Sequence, residues 1–155
     1  MFGVRRILRA GRMVGLFATI AATAAHASPS TQPTIEELKA RVASASIGGR
    51  PHLCVQIAQR QLTEADKLYA AADIEKGKAA LTDAVTFSEL ARDYAIQSHK
   101  YQKQTEIAAR SMTRKLNDLL HTLGQDQQAP VRDAIARLQR VRDDLLAAMF
   151  PKGAK

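Results

Sequence analysis

The sequence predicts an all-α protein, an antiparallel helical bundle, from three observations. Apolar and small residues recur every three or four positions over most of the chain, the spacing of one helical face. Alternation of apolar and polar residues, which would indicate strands, persists nowhere, and alanine is abundant. Oppositely charged residues four positions apart support helices at Glu37/Arg41, Glu106/Arg110, Asp133/Arg137 and Arg140/Asp144.

Residues 1–27 have the pattern of a secretory signal peptide. Four arginines without an acidic residue precede an apolar run from Met13 to Ala24, and a small-x-small sequence predicts cleavage between Ala27 and Ser28. The run is shorter than the roughly 20 residues of a membrane-spanning helix. We therefore expect export to the periplasm or the cell exterior, with no stable membrane span after processing. The general secretory route is favoured over the twin-arginine route because Arg9 occupies a position that is usually hydrophobic in twin-arginine signals.

Processing changes how the charge of the chain is interpreted. The signal contains four arginines, so its removal lowers Lys plus Arg from 23 to 19 against 15 Asp plus Glu, and the net charge falls from +8 to +4. A nucleic-acid partner is therefore not expected. The remaining 128 residues suit one domain. They include one cysteine, Cys54, which excludes a disulfide within the chain.

The first helices have clear end signals. Residues 28–50 are interpreted as a polar linker followed by a short helix, which begins at a capping box of Thr34 and Glu37 and ends at Gly48-Gly49. Pro51 suits the first turn of a second helix, which reaches Ala72. Residues 51–150 form the predicted bundle domain.

The stretch Glu75–Leu123 allows two interpretations. It contains neither proline nor glycine after Lys78, and one continuous helix would extend about 70 Å. The alternative is two helices broken within the polar octet 97–104, which would give an up-down bundle of similar helices. We favour the long helix, because Ser98 and Tyr101 continue the apolar phase through the octet.

The end of the chain is simpler. Gly124–Pro130 is predicted to be a loop, and a last helix runs from Pro130 to Met149. Its arginines alternate with Asp133, Asp143 and Asp144, which indicates a solvated face of mixed charge, with Asp143 and Asp144 pairing with Arg140. Residues 151–155 form a short basic tail.

One segment resembles a known family. Ala65, Leu68 and Tyr69, then Asp73-Ile-Glu-Lys76 at a turn, then Ala80, Leu81 and Ala84 are similar to one degenerate tetratricopeptide-type helical hairpin over Ala65–Val85. Gly77 stands where that family usually has alanine, and a second copy is absent from the sequence. The resemblance implies a protein-binding groove and names no catalytic residue. The whole chain looks like uncharacterised exported helical proteins.

Recognisable catalytic patterns are missing from the sequence. Gly48-Gly49 is not followed by the Lys-Ser/Thr of a phosphate loop, and no serine has a His and an Asp at a hydrolase spacing. We therefore expect a non-enzymatic protein without a cofactor. The leading hypothesis is a binding or scaffold module that contacts another protein, or a second copy of itself, through helical surfaces.

The alternative hypothesis is a small periplasmic metal- or haem-binding carrier. A helical bundle brings ligands together from facing helices, and the available side chains are His99, His121, Cys54, Met112 and Met149. The sequence lacks His-x-x-x-His and Cys-x-x-Cys-His patterns, so only a non-covalent haem or a dispersed metal site is compatible with it. Cys54 lies on the apolar stripe of its helix, where a cysteine most often acts as a small buried hydrophobe.

Overall fold

A computed structural model describes residues 32–151. The predicted signal peptide with its cleavage site at Ala27–Ser28, and all of the basic tail except Pro151, lie outside the described residues. The prediction of an all-α bundle is confirmed, and no strand occurs between residues 32 and 151. The helices are α1 (Ile35–Ser44), α2 (Arg50–Ala70), α3 (Ile74–Ser98), α4 (Gln102–Thr122) and α5 (Gln128–Met149), with a 3-10 turn at Gln125–Gln127. Within this range, no helix combines the length and the apolar character needed to cross a bilayer.

Helix α1 begins at the predicted capping box. The backbone N–H of Glu37 donates to Thr34 Oγ1 at 3.2 Å, and the N–H of Thr34 donates to Glu37 Oε2 at 2.8 Å. These two bonds satisfy backbone donors that the first turn of a helix leaves free. Leu38 is fully buried, and the Arg60 guanidinium of α2 donates to the carbonyl of Pro33. Together these contacts hold α1 on α2.

Helices α2 and α3 form a tight antiparallel hairpin. The ring of Tyr69 lies against Gly77, where a Cβ would stand 3.1 Å from Tyr69 Cδ2, so the absence of a side chain at 77 permits this approach. Farther along, Gln61 of α2 donates to Asp83 of α3 at 3.1 Å. Small and apolar side chains from both helices fill one core cluster, among them Ala58, Ala65, Ala80 and Ala84.

Of the two interpretations of residues 75–123, the favoured one, a continuous helix, is wrong, and the break within the octet 97–104 is confirmed. Helix α3 ends at Ser98 and α4 begins at Gln102, so most of the octet is nevertheless helical. His99 and Tyr101 adopt left-handed conformations with φ of 54° and 61°. These dihedrals end α3 and redirect the chain, and α4 and α5 then bury their apolar faces against the first hairpin.

Helices α4 and α5 form a second antiparallel hairpin. It lies beside the first so that α4 is parallel to α2 and α5 is parallel to α3. Its own helices are joined by Arg142 and Glu106, whose Nε and Oε1 lie 3.1 Å apart. Helix α3 runs in the same direction as α5, because contacts progress along both helices from Glu89–Arg137 to Arg92–Asp144. Helix α2 runs in the same direction as α4, since His52 stacks on Tyr101 near the start of both and Leu62 and Leu119 line one cleft farther along.

The ion pairs differ from those that the spacing predicted. Of the four predicted pairs, only Glu106–Arg110 forms within the described residues, at 3.7 Å. Arg137 binds Glu89 of α3 in place of Asp133, and Asp144 binds Arg92 of α3 in place of Arg140. Two charged residues of the predicted mixed-charge face, Arg137 and Asp144, therefore also join α5 to α3.

Candidate binding site between helices α2 and α4

A cleft of about 360 Å³ lies between the second halves of the parallel helices α2 and α4. Its walls come from both helices: Leu62, Thr63 and Asp66 of α2, and Lys115, Asp118, Leu119 and Thr122 of α4. The cleft is open to solvent on one side.

The floor of the cleft is apolar and its rim is charged. Leu62 and Leu119 retain only 4% and 7% of their exposure, since they lie at the edge of the core stripes. Asp66 follows Leu62 by four residues and Lys115 precedes Leu119 by four, so each lies one turn from a floor leucine on its own helix. The helical period thus places a charged side chain beside each buried leucine.

The charges at the rim are unpaired within the described residues. Asp66, Lys115 and Asp118 take part in none of the ion pairs there, although several other acidic groups are paired with arginines of another helix. Two carboxylates and one ammonium leave one unit of negative charge at the cleft. These groups are exposed and hydrated, so they remain free to bind a charged partner.

An aromatic pair occupies the other end of the α2–α4 contact. The rings of His52 and Tyr101 stack with centroids 5.7 Å apart and planes inclined by 26°. Gln56, one turn along α2, lies 2.9 Å from His52 Nε2. Tyr101 remains 41% exposed, because its left-handed backbone turns the ring outward at the start of α4. The face shared by α2 and α4 therefore has an exposed aromatic group at one end and the charged cleft at the other.

A separate apolar patch lies at the end of α5. Leu146, Ala147 and Phe150 surround a shallow depression beside Asp143, and Phe150 is 69% exposed. All four residues lie in the last two turns of one helix or directly after it, so this patch lacks the second wall that the α2–α4 cleft has.

The five residues predicted as metal or haem ligands lie in different surroundings. Cys54 is fully buried and Met112 nearly so, and Met112 packs within the main core cluster. Desolvation raises the pKa of the Cys54 thiol to about 11, although Arg50 acts in the opposite direction. Met149 packs, half-buried, against a small cluster near the end of α5.

The two histidines are far from each other. His99 is exposed at the junction of α3 and α4, and His121 is exposed near the end of α4, about 30 Å away along the helix axis. Within residues 32–151, no group of three or more His, Cys, Asp or Glu side chains is placed to hold a metal ion. The two predicted histidine ligands therefore lie too far apart to bind the same metal ion.

Sequence reasoning singles out none of the charged residues of the cleft. Asp66, Lys115 and Asp118 look like ordinary solvent-facing positions next to the predicted core stripes. Their grouping depends on α2 lying beside α4, which follows from the break at residues 99–101. Charged residues one turn from a core leucine can be found on each helix separately in the sequence. The sequence pattern does not show which residues of α2 and α4 come together.

The residues that carry the tetratricopeptide resemblance lie in the α2/α3 hairpin, with Tyr69 against Gly77 near its turn. The resemblance itself stays a prediction. Comparisons of the chain with protein-family models, with curated proteins and with solved structures found no significant match.

Proposed function

We propose that the protein is an exported, non-enzymatic binding module that contacts another protein through the cleft between α2 and α4. The observation that carries this proposal is the cleft itself: a leucine floor with three charged side chains at its rim that have no ion-pair partner in the described part of the chain. Apolar surface next to unpaired charge is typical of recognition sites, where the apolar part supplies affinity and the charges select the partner.

The chemistry of the cleft favours a partner segment with an aliphatic side chain next to a lysine or arginine. The aliphatic group would cover Leu62 and Leu119, and the cation would lie between the carboxylates of Asp66 and Asp118. These carboxylates come from different helices, so a cation between them contacts both walls. A long basic side chain suits this position because its stem is apolar and its head is charged.

The arrangement of the helices supports the proposal in a second way. Two antiparallel hairpins stacked in parallel register are the arrangement of α-solenoid proteins, which bind other proteins along the surface that their stacked helices form. Here α2 and α4 would supply that surface, from the exposed ring of Tyr101 to the charged cleft. Export, which the pattern of residues 1–27 predicts, would place the partner in the periplasm or outside the cell.

Site-directed photo-crosslinking in the native host tests the proposal. A photo-reactive phenylalanine analogue at Thr63, on the cleft, should cross-link one defined protein, whereas the same analogue at Thr86, exposed on α3, should not. The double variant Asp66→Lys/Asp118→Lys should abolish the cross-link. The matched variant Asp143→Lys, at the apolar patch of α5, should preserve it. Equal cross-linking from positions 63 and 86, or none from position 63, would contradict the proposal.

The carrier hypothesis makes a different prediction about the same purified protein. A metal or haem carrier would hold a stoichiometric metal, or show an intense Soret band, when it is purified from its native compartment. A binding module would show neither. Elemental analysis and an absorption spectrum therefore separate the two functions. A stoichiometric metal or haem that is lost in a His99→Ala/His121→Ala variant would support the carrier hypothesis against the binding module.

A further inference from the structure

We propose that the junction His99–Tyr101 is a hinge through which the α4/α5 hairpin exchanges between two copies of the chain. In the exchanged dimer, α3 and α4 of each copy form one continuous helix. The second hairpin of one copy then packs on the first hairpin of the other. The partner is a second copy of this chain, and the surface that it uses is the one that already closes the monomer. This inference is independent of the proposed binding function.

A strict seven-residue repeat runs through the break without an insertion. One set of positions is Leu81, Ser88, Ala95, Gln102, Ala109 and Leu116, and a second set, three residues later in each repeat, is Ala84, Ala91, Ser98, Thr105, Met112 and Leu119. All of these residues are buried except Ser98 and Gln102, which are half-buried. A continuous helix would keep both sets on one face under the slight supercoil that such a repeat produces. The sequence is therefore compatible with both a broken and an unbroken helix.

The broken form contains strained backbone. His99 and Tyr101 have positive φ angles of 54° and 61°, which crowd the Cβ of any residue other than glycine. The three-residue junction contains neither glycine nor proline, the residues that most strongly favour a turn over a helix. Straightening the junction would remove this strain and add helical hydrogen bonds at residues that now lack them.

Two contacts hold the junction closed. The Tyr101 ring stacks on His52 of α2, and the Lys100 side chain packs on Gly48, where a Cβ would lie 2.9 Å from Lys100 Cδ. Both contacts tie the junction to the start of α2. Exchange would break them, so these two contacts favour the monomer.

The remaining interactions are the same in both forms. The exchanged dimer rebuilds the contacts between hairpins, including Glu89–Arg137 and Arg92–Asp144, but now between two chains. The second hairpin moves as a unit because Glu106–Arg142 joins α4 to α5 within it. The equilibrium between the monomer and the exchanged dimer therefore depends on the conformation of the junction and on the protein concentration, as is usual for domain swapping.

A complementation experiment distinguishes exchange from ordinary dimerisation. The variants Glu89→Arg and Arg137→Glu each place like charges opposite one another in the monomer. When they are unfolded and refolded together, an exchanged heterodimer restores opposite charges at both contacts between hairpins. At one contact the two substituted side chains face each other with their charges reversed, and at the other the native Glu89 of one chain meets the native Arg137 of its partner.

Size-exclusion chromatography with light scattering provides the measurement for this experiment. It should show a dimer in the mixture and only monomer for either variant alone. Absence of the heterodimer, with both variants folded by circular dichroism, would overturn the proposal.

A matched pair of substitutions at one exposed residue provides a second test that does not disturb the core. His99→Gly removes the left-handed strain and weakens a continuous helix, whereas His99→Ala keeps the strain and favours the helix. After refolding at high concentration, the ratio of dimer to monomer should be on the order of tenfold higher for His99→Ala than for His99→Gly. Equal ratios, or the reverse order, would also overturn the proposal.

Discussion

Arg137 of α5 donates two hydrogen bonds to the carboxylate of Glu89 of α3, one at 2.9 Å from Nε and one at 2.8 Å from Nη2. The two side chains retain 27% and 30% of their exposure. This bidentate pair restricts the rotation of α5 relative to α3. Its two hydrogen bonds make it a stronger interaction than a single ion pair at the surface. It joins the two hairpins far from the junction that links them in sequence.

Glu89→Gln should therefore destabilise the protein by about 1–2 kcal/mol near neutral pH, because it removes the charge from a double hydrogen bond. Glu64→Gln is the matched control, since Glu64 lies 3.8 Å from Lys67 on an exposed surface, and it should change the free energy of unfolding by less than about 0.5 kcal/mol. Urea unfolding followed by circular dichroism measures both. Equal effects of the two variants would show that the Glu89 contact contributes nothing beyond surface charge.

The same pair makes stability depend on pH. The hydrogen bonds from Arg137 lower the pKa of Glu89 below its ordinary value of 4.5. The unfolded chain then binds this proton more readily than the folded one, so the stabilisation is complete above about pH 4.5 and is lost as the pH falls through the lowered pKa. The difference in unfolding free energy between the wild type and Glu89→Gln should be constant from about pH 6 to 8 and should shrink below about pH 4.5. A difference that grows in acid would contradict this assignment.

Tyr69→Phe should stabilise the protein. Tyr69 Oη is buried and has no hydrogen-bond partner among the described residues, and burial raises the pKa of this phenol. Removing an unsatisfied buried hydroxyl while keeping the ring against Gly77 should raise the unfolding free energy by about 1 kcal/mol. The control is Tyr101→Phe, in which the ring is substantially exposed and the change should be within about 0.5 kcal/mol. A loss of stability in Tyr69→Phe would mean that the hydroxyl has a partner.

The Cys54 thiol should be inert in the folded protein. It is fully buried, and its pKa of about 11 leaves little thiolate at about pH 8. Labelling by an aromatic disulfide reagent should proceed at least about a hundredfold more slowly than in about 6 M guanidinium chloride, where the thiol regains its ordinary pKa. Rapid labelling of the folded chain would show that α2 opens locally around Cys54.

Thr34→Ala should loosen α1 without unfolding the bundle. The substitution removes one of the two capping bonds and should cost about 1 kcal/mol at this helix terminus, which corresponds to about fivefold faster amide exchange in α1. Exchange in the middle of α2, α3 and α5 should be unchanged. Thr86→Ala, an exposed threonine in the interior of α3, is the control and should leave α1 unaffected. Equal acceleration in all helices would indicate that α1 is part of the global unfolding unit.

Much of the fold follows from local sequence because most helix ends have strong signals. Thr34 with Glu37 and Pro51 each mark a helix start that the structure retains, and Gly124 follows the end of α4. Helix α1 ends at Ser44, however, four residues before the predicted stop at Gly48-Gly49. The core stripes are equally clear, since a helix of this length must bury one face to be stable. These features depend only on residues that are close in sequence.

The break at His99 and Tyr101 has only a weak signal, the polar octet 97–104. Neither residue is a glycine, and the seven-residue repeat continues through them, so sequence periodicity alone favours an unbroken helix. The break is stabilised by packing between distant segments, including His52 against Tyr101. The sequence does not predict that the cleft residues Asp66 and Lys115 lie close together for the same reason, because their proximity is a consequence of that packing.

The parallel arrangement of the two hairpins would also allow a further hairpin to be added to the fold. Since α2 runs along α4 and α3 along α5, a third antiparallel hairpin would continue the series if it were added after Met149 in the same orientation. The outer side of α5 near that point already exposes Leu146 and Phe150, side chains of the kind that an added hairpin would cover. In this arrangement, duplication of a hairpin-sized gene segment would extend the molecule without rebuilding the part that already folds.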